Sequence, residues 1–72
     1  MVNNFKAMRK KANLTQGQVA EAIGVDTSMV CKWETGTIIP RIDRLYQMAA
    51  LYKCRVSDLI PDGPNESEAA GE

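Results

Sequence analysis

Seventy-two residues suffice for one small domain with a single modest core and leave no room for a second chemical module, which argues against a complex enzyme. Nine Lys and Arg balance nine Asp and Glu, but residues 1–55 hold all nine bases against four acids, whereas residues 56–72 hold five acids and no base. There is no histidine, Cys31 and Cys54 form no CxxC pair, and neither a signal-type apolar segment nor a run of roughly 18 apolar residues occurs; metal sites, disulfides and membrane spans are therefore not expected, and the cytoplasm is the expected compartment.

Phe5, Met8 and Ala12 recur at spacings of three and four, so the first segment reads as an amphipathic helix with Asn3 or Asn4 as its cap and Lys6, Arg9, Lys10 and Lys11 on the other face. Asn13-Leu14 breaks it. Thr15 to Gln18 has the Thr-x-x-Gln form of a capping box, opening a second helix through Val19, Ala20 and Ile23, which Gly24 closes. Asp26 is the expected cap of a third helix whose inward face is Val30 and Trp33 and which runs to about Thr35, ahead of Gly36.

The stretch Thr37-Ile38-Ile39-Pro40 is expected to be extended, because the residue before a proline is pushed away from helical dihedrals. A fourth helix follows, with Ile42, Leu45, Met48, Ala49 and Tyr52 as its expected buried stripe and Cys54 as a small core residue nearby. A short last helix holds Val56, Leu59 and Ile60. From Pro61 the segment PDGPNESEAAGE has two prolines, two glycines, four acids and nothing large and apolar, so residues 1–60 read as the domain and residues 61–72 as an acidic disordered tail.

Two short helices joined by a tight glycine-containing turn, the second opening with small polar side chains, are what a helix needs to enter the major groove of DNA. The same topology also occurs in purely structural bundles. The stretch LTQGQVAEAIGVDTSMVCKWETGTIIP goes further: Leu14-Thr15-Gln16, Val19-Ala20, Ile23-Gly24-Val25, Val30, Trp33 to Gly36, then Pro40, Ile42, Leu45, Ala49 and Tyr52, in that order and spacing, resemble the Cro/phage-repressor family of XRE-type regulators over about residues 5–60. That resemblance implies an all-α, lambda-repressor-like fold of five helices in which the second and third form the helix-turn-helix and the third is the recognition element. Arg41 and Arg55, which stand where small hydroxyl caps are common, and Met29, which replaces a small polar residue, depart from the family pattern.

With Val30 and Trp33 inward, a helical wheel leaves Ser28, Cys31, Lys32 and Thr35 outward, with Thr27 and Met29 flanking. On its own this is an ordinary solvated face; the resemblance implies that Thr27, Ser28, Cys31 and Lys32 meet base edges. Gln16, at the first turn of the second helix where free amides favour phosphate, is expected on the DNA backbone, as the resemblance also implies; Thr35, Thr37, Arg41 and Arg44 are further backbone candidates. The resemblance further implies a structural ion pair between Arg9 and Glu34.

The expected partners are a double-stranded DNA operator, roughly palindromic, and a second copy of the chain in a homodimer, with Leu51, Ile60 or Ile38 as possible seam residues. The expected role is a small transcriptional regulator, most simply a repressor; no cofactor, metal or small-molecule ligand is called for. The rival reading keeps the fold as a protein-interaction module of antitoxin or adaptor type. An enzyme finds no nucleophile and base, paired carboxylates or phosphate loop in the sequence.

Overall fold

The computed structural model describes residues 3–60, to which all structural statements refer; the acidic segment 61–72 expected to be disordered lies outside them. Five helices follow one another: α1 (Phe5–Lys11), α2 (Gln16–Ile23), α3 (Thr27–Thr35), α4 (Ile42–Tyr52) and α5 (Val56–Leu59). Among the described residues there is no strand, and no helix is long and apolar enough to cross a membrane.

Local chemistry sets most of the helix ends. The amide of Gln18 donates to the Thr15 hydroxyl at 3.1 Å and the amide of Thr15 donates to the Gln18 side-chain carbonyl at 2.8 Å, so the capping box at α2 is complete. Gly24 and Gly36 close α2 and α3 with φ of 89° and 83°, the left-handed region where a side chain costs roughly 1–2 kcal/mol.

The other helix starts are less fully capped. Asn4 occupies the cap position of α1, but it is Asn3 whose side-chain oxygen accepts from the Phe5 amide, at 3.1 Å. Asp26 takes the extended cap backbone at α3 without a side-chain bond, so this helix start relies on its packing. Neither Arg41 nor Arg55 caps its helix with its side chain; at α5, Asp58 accepts from the Arg55 amide at 3.0 Å.

The apolar spacings converge on one core: Phe5 from α1; Val19, Ala20 and Ile23 from α2; Val30 and Trp33 from α3; Leu45, Met48, Ala49 and Tyr52 from α4; and Leu59 and Ile60 at the end of α5. Each of the larger aliphatic or aromatic side chains removed from water contributes about 1.5–3 kcal/mol. α2 packs on both α3 and α4, while α1 braces α3, α4 and α5. The Asn4 amide donates to the Leu59 carbonyl at 2.8 Å, joining the two ends of the domain.

Two expectations for apolar residues are overturned. Ile42, placed by its spacing in the buried stripe of α4, is 50% exposed: it begins the helix, at the margin of the stripe on the side of Tyr46, where no other element covers it. Ile60, considered for a seam, is buried in the core, and Leu51 is half-buried, so only Ile38 of those three is exposed. Cys54 packs partly buried against the core, and burial pushes its thiol pKa up, favouring the protonated form.

Candidate nucleic-acid interface

α3 is held by its inner face. Val30 and Trp33 are buried and Met29 packs partly against the core, which turns Thr27, Ser28, Cys31 and Lys32 outward, all exposed. No hydrogen bond within the described residues engages the side chains of Ser28, Cys31 or Lys32, so a hydroxyl, a thiol and an ammonium group stand free on one helical face. The three residues 24–26 that separate α2 from α3 make the turn tight: the Gly24 and Val25 amides both donate to the Ala20 carbonyl, at 2.7 and 2.9 Å.

Behind this face lies a buried ionic clamp. Arg9 Nε donates to Glu34 Oε2 at 2.6 Å and Nη2 donates to Oε1 at 3.2 Å, the two-pronged geometry in which a guanidinium fits a carboxylate. The side chains are only 9% and 5% exposed. Arg9 Nη1 donates to the Leu14 carbonyl at 2.9 Å, and Gln16 Nε2 donates to Glu34 Oε1 at 2.9 Å. One carboxylate on α3 thus gathers α1, the α1–α2 loop and the start of α2. The hydrogen bond to Glu34 is the main cause that raises the Arg9 pKa above its ordinary value, burial opposing it.

The backbone candidates are placed unequally. Gln16 is half-buried with its amide group committed to Glu34, an arrangement that sequence spacing does not reveal because it requires three elements to converge. Arg44 is half-buried as well: Nη1 donates to the Ile23 carbonyl at 3.2 Å and to Gln47 Oε1 at 3.0 Å, placing a cation at the C-terminal end of α2, where the helix dipole and an unpaired carbonyl favour it. Thr35 and Thr37 are exposed with their hydroxyls 2.9 Å apart; Thr35 spends its one hydrogen on the Lys32 carbonyl, so Thr37 donates to Thr35. Arg41 stands free in solvent, its side chain 87% exposed and 3.9 Å from Asp43, an exposed pairing of negligible strength.

Tyr52 lies in the core as its spacing predicts, but the sequence did not show that its hydroxyl is buried without a hydrogen-bond partner among the described residues. Burial, with the nearby Glu34 adding to it, pushes the phenol up to about 12. Because the folded state holds this proton more tightly than the unfolded chain, whose tyrosine titrates near ~10, the associated stability is present below about pH 10 and is lost as pH rises toward about 12. Tyr52→Phe removes both the orphaned hydroxyl and this titration. It is expected to leave stability at pH 7 unchanged or raise it by about 1 kcal/mol, and to flatten the alkaline decline, as urea unfolding at pH 7 and pH 11 would measure.

An all-helical domain with a tight α2–α3 turn and a polar, unengaged outer face on α3 defines the class of helix-turn-helix proteins. Residues 5–59 match the family model described as Helix-turn-helix, and the chain belongs to that family, of the Cro/C1 type, whose members are DNA-binding regulators. The helix-turn-helix is formed by α2 and α3. A search of curated proteins gives no match.

Proposed function

We propose that this chain binds a roughly palindromic DNA operator sequence-specifically as a homodimer in the cytoplasm, without enzymatic activity, and represses transcription by obstructing polymerase. The observation that carries this reading is the set of exposed, unengaged side chains at Ser28, Cys31 and Lys32 on a helix whose opposite face is clamped into the core. Small groups at Thr27 and Ser28 permit close approach to base edges, and Lys32, one turn later, reaches guanine acceptors. Arg41 supplies a free cation for phosphate, and Thr35, Thr37, Arg44 and Gln16 reach it only by surrendering or sharing the bonds they make within the domain. Two copies would set their recognition helices in successive major grooves about 34 Å apart.

Selection of bound sites from a random duplex library tests the proposal. A consensus should emerge, and Lys32→Ala or Ser28→Ala should relax preference at one or two positions by about 1–3 kcal/mol each. Arg41→Ala should weaken every site alike and lower the slope of log affinity against log salt by about 1. Gln16→Ala is also expected to weaken all sites, but it breaks the bond to Glu34, so Arg41 is the cleaner probe. Recovery of no consensus overturns sequence-specific reading.

The interaction-module reading draws support from the overall charge balance and from apolar side chains exposed after α3. Titrating mixed genomic duplex separates the two: a DNA binder loses affinity steeply between about 50 and 200 mM salt, and an interaction module shows little DNA binding to lose.

A further inference from the structure

The segment 61–72 carries Asp62, Glu66, Glu68 and Glu72, no base and nothing large and apolar. The structure fixes where it leaves the domain. The Leu59 carbonyl accepts from the Asn4 amide at 2.8 Å, and the side-chain amide of the adjoining Asn3 donates to the Trp33 carbonyl at 3.4 Å. Two hydrogen bonds and one dipeptide thus link the end of α5 to the C-terminal turn of α3, a separation on the order of 10 Å. Glu66, six residues beyond Ile60, reaches up to about 20 Å from it, which covers both Lys32 and Ser28 on a helix roughly 13 Å long.

We infer that this acidic segment docks on the outer face of α3. Thr27, Ser28, Cys31, Lys32 and Thr35 are exposed there, a set of hydroxyls, a thiol and an ammonium group without a carboxylate. Glu34, the one acid of the helix, is turned inward and held by Arg9 and Gln16. A surface rich in donors suits a carboxylate, which can only accept. Lys32 forms no ion pair among the described residues, so its charge is available to the segment. Lys6, Lys10 and Lys11 on α1 are the rival charges, but α1 places no hydroxyl beside them. The apolar surface of Ile38, Ile39, Ile42 and Tyr46 asks for side chains that the segment lacks.

Carboxylates seated on this face occupy the donors that phosphates and base edges would use, so the segment competes with nucleic acid for α3. This consequence rests on the DNA reading proposed above; the docking itself does not. A tether of a few residues holds the acids at an effective concentration in the mM range, so contacts that are weak singly are still populated. They fade as salt shortens the Debye length from about 10 Å at 0.1 M to about 3 Å at 1 M.

Amide NMR at about 20 mM salt and without DNA tests the docking, comparing the full ¹⁵N-labelled chain with its Asp62→Asn, Glu66→Gln, Glu68→Gln, Glu72→Gln variant. The amides of Ser28, Cys31 and Lys32 should differ between the two chains, while those of Glu21 on α2 and Tyr46 on α4 coincide. At about 0.5 M salt the difference should shrink at least ~3-fold. Lys32→Gln introduced into both chains should remove more than half of it. Differences confined to Lys6, Lys10 and Lys11, or none at all, overturn the inference. On mixed duplex at about 50 mM salt the neutralised chain should bind ~10-fold tighter, a gain that narrows at about 200 mM. Such a gain without any difference on α3 marks long-range repulsion alone and likewise overturns the docking. If neither chain binds duplex while the α3 amides differ, the operator reading falls and the docking stands.

Discussion

Replacing Glu34 with alanine is expected to remove most of the domain's folding stability at 25 °C. The substitution strands the Arg9 guanidinium, whose side chain is 9% exposed, without its carboxylate, and an uncompensated buried charge of this kind costs about 3–5 kcal/mol. It also removes the acceptor of the Gln16 amide. A domain this small sits toward the lower end of the roughly 5–15 kcal/mol range of folded-state stability, so the loss takes most of what is available. Urea unfolding followed by far-UV circular dichroism measures it. The double change Arg9→Met with Glu34→Leu removes both charges together and should recover more than half of the lost stability, since apolar residues of similar volume often replace buried ion pairs without cost. A Glu34→Ala cost below about 1 kcal/mol would mean that the pair is solvated and that α3 is held by packing alone.

Trp33→Ala carries the other large effect. Trp33 is 3% exposed and anchors α3 in the core next to the clamp residue Glu34, and removing so large a buried side chain costs about 3–5 kcal/mol. At about 4–8 °C per kcal/mol for a domain of this size, the melting temperature should fall by roughly 12–40 °C. Trp33→Phe, which keeps an aromatic ring in place, should lose less than half as much. Far-UV melting curves are the appropriate measurement, because Trp33 is the sole tryptophan and its fluorescence disappears with it.

These two residues also show which parts of the molecule were legible in the sequence. The inward position of Trp33 follows from its three-residue spacing after Val30, and the ends of α2 follow from Thr15, Gln18 and Gly24, because each of these signals acts within a few residues of itself. The partnership of Arg9 with Glu34 has no local signature; it was suggested by family resemblance, and 25 residues separate the two in the chain. Gln16 is the instructive case. Its place at a helix start suggested phosphate, but the fold brings Glu34 within hydrogen-bond reach of its amide, and only the packing of α1, α2 and α3 determines that. Arg44 bonding the Ile23 carbonyl and Tyr52 with its unpaired hydroxyl are equally products of tertiary placement. Ile42 failed in the opposite sense, because a correct helical period says which side a residue faces and not whether any neighbour arrives to cover it.

The separation between the inner and outer faces of α3 has a consequence for how such a protein diversifies. Val30, Trp33 and Glu34 carry the attachment of the helix, whereas the side chains of Ser28, Cys31 and Lys32 form no hydrogen bonds within the described residues. Exchanges at those three outer positions therefore change stability by no more than about 0.5 kcal/mol, as for ordinary surface sites. If α3 contacts DNA as proposed, exchanges at these positions could alter what it binds without any compensating change in the residues that hold it.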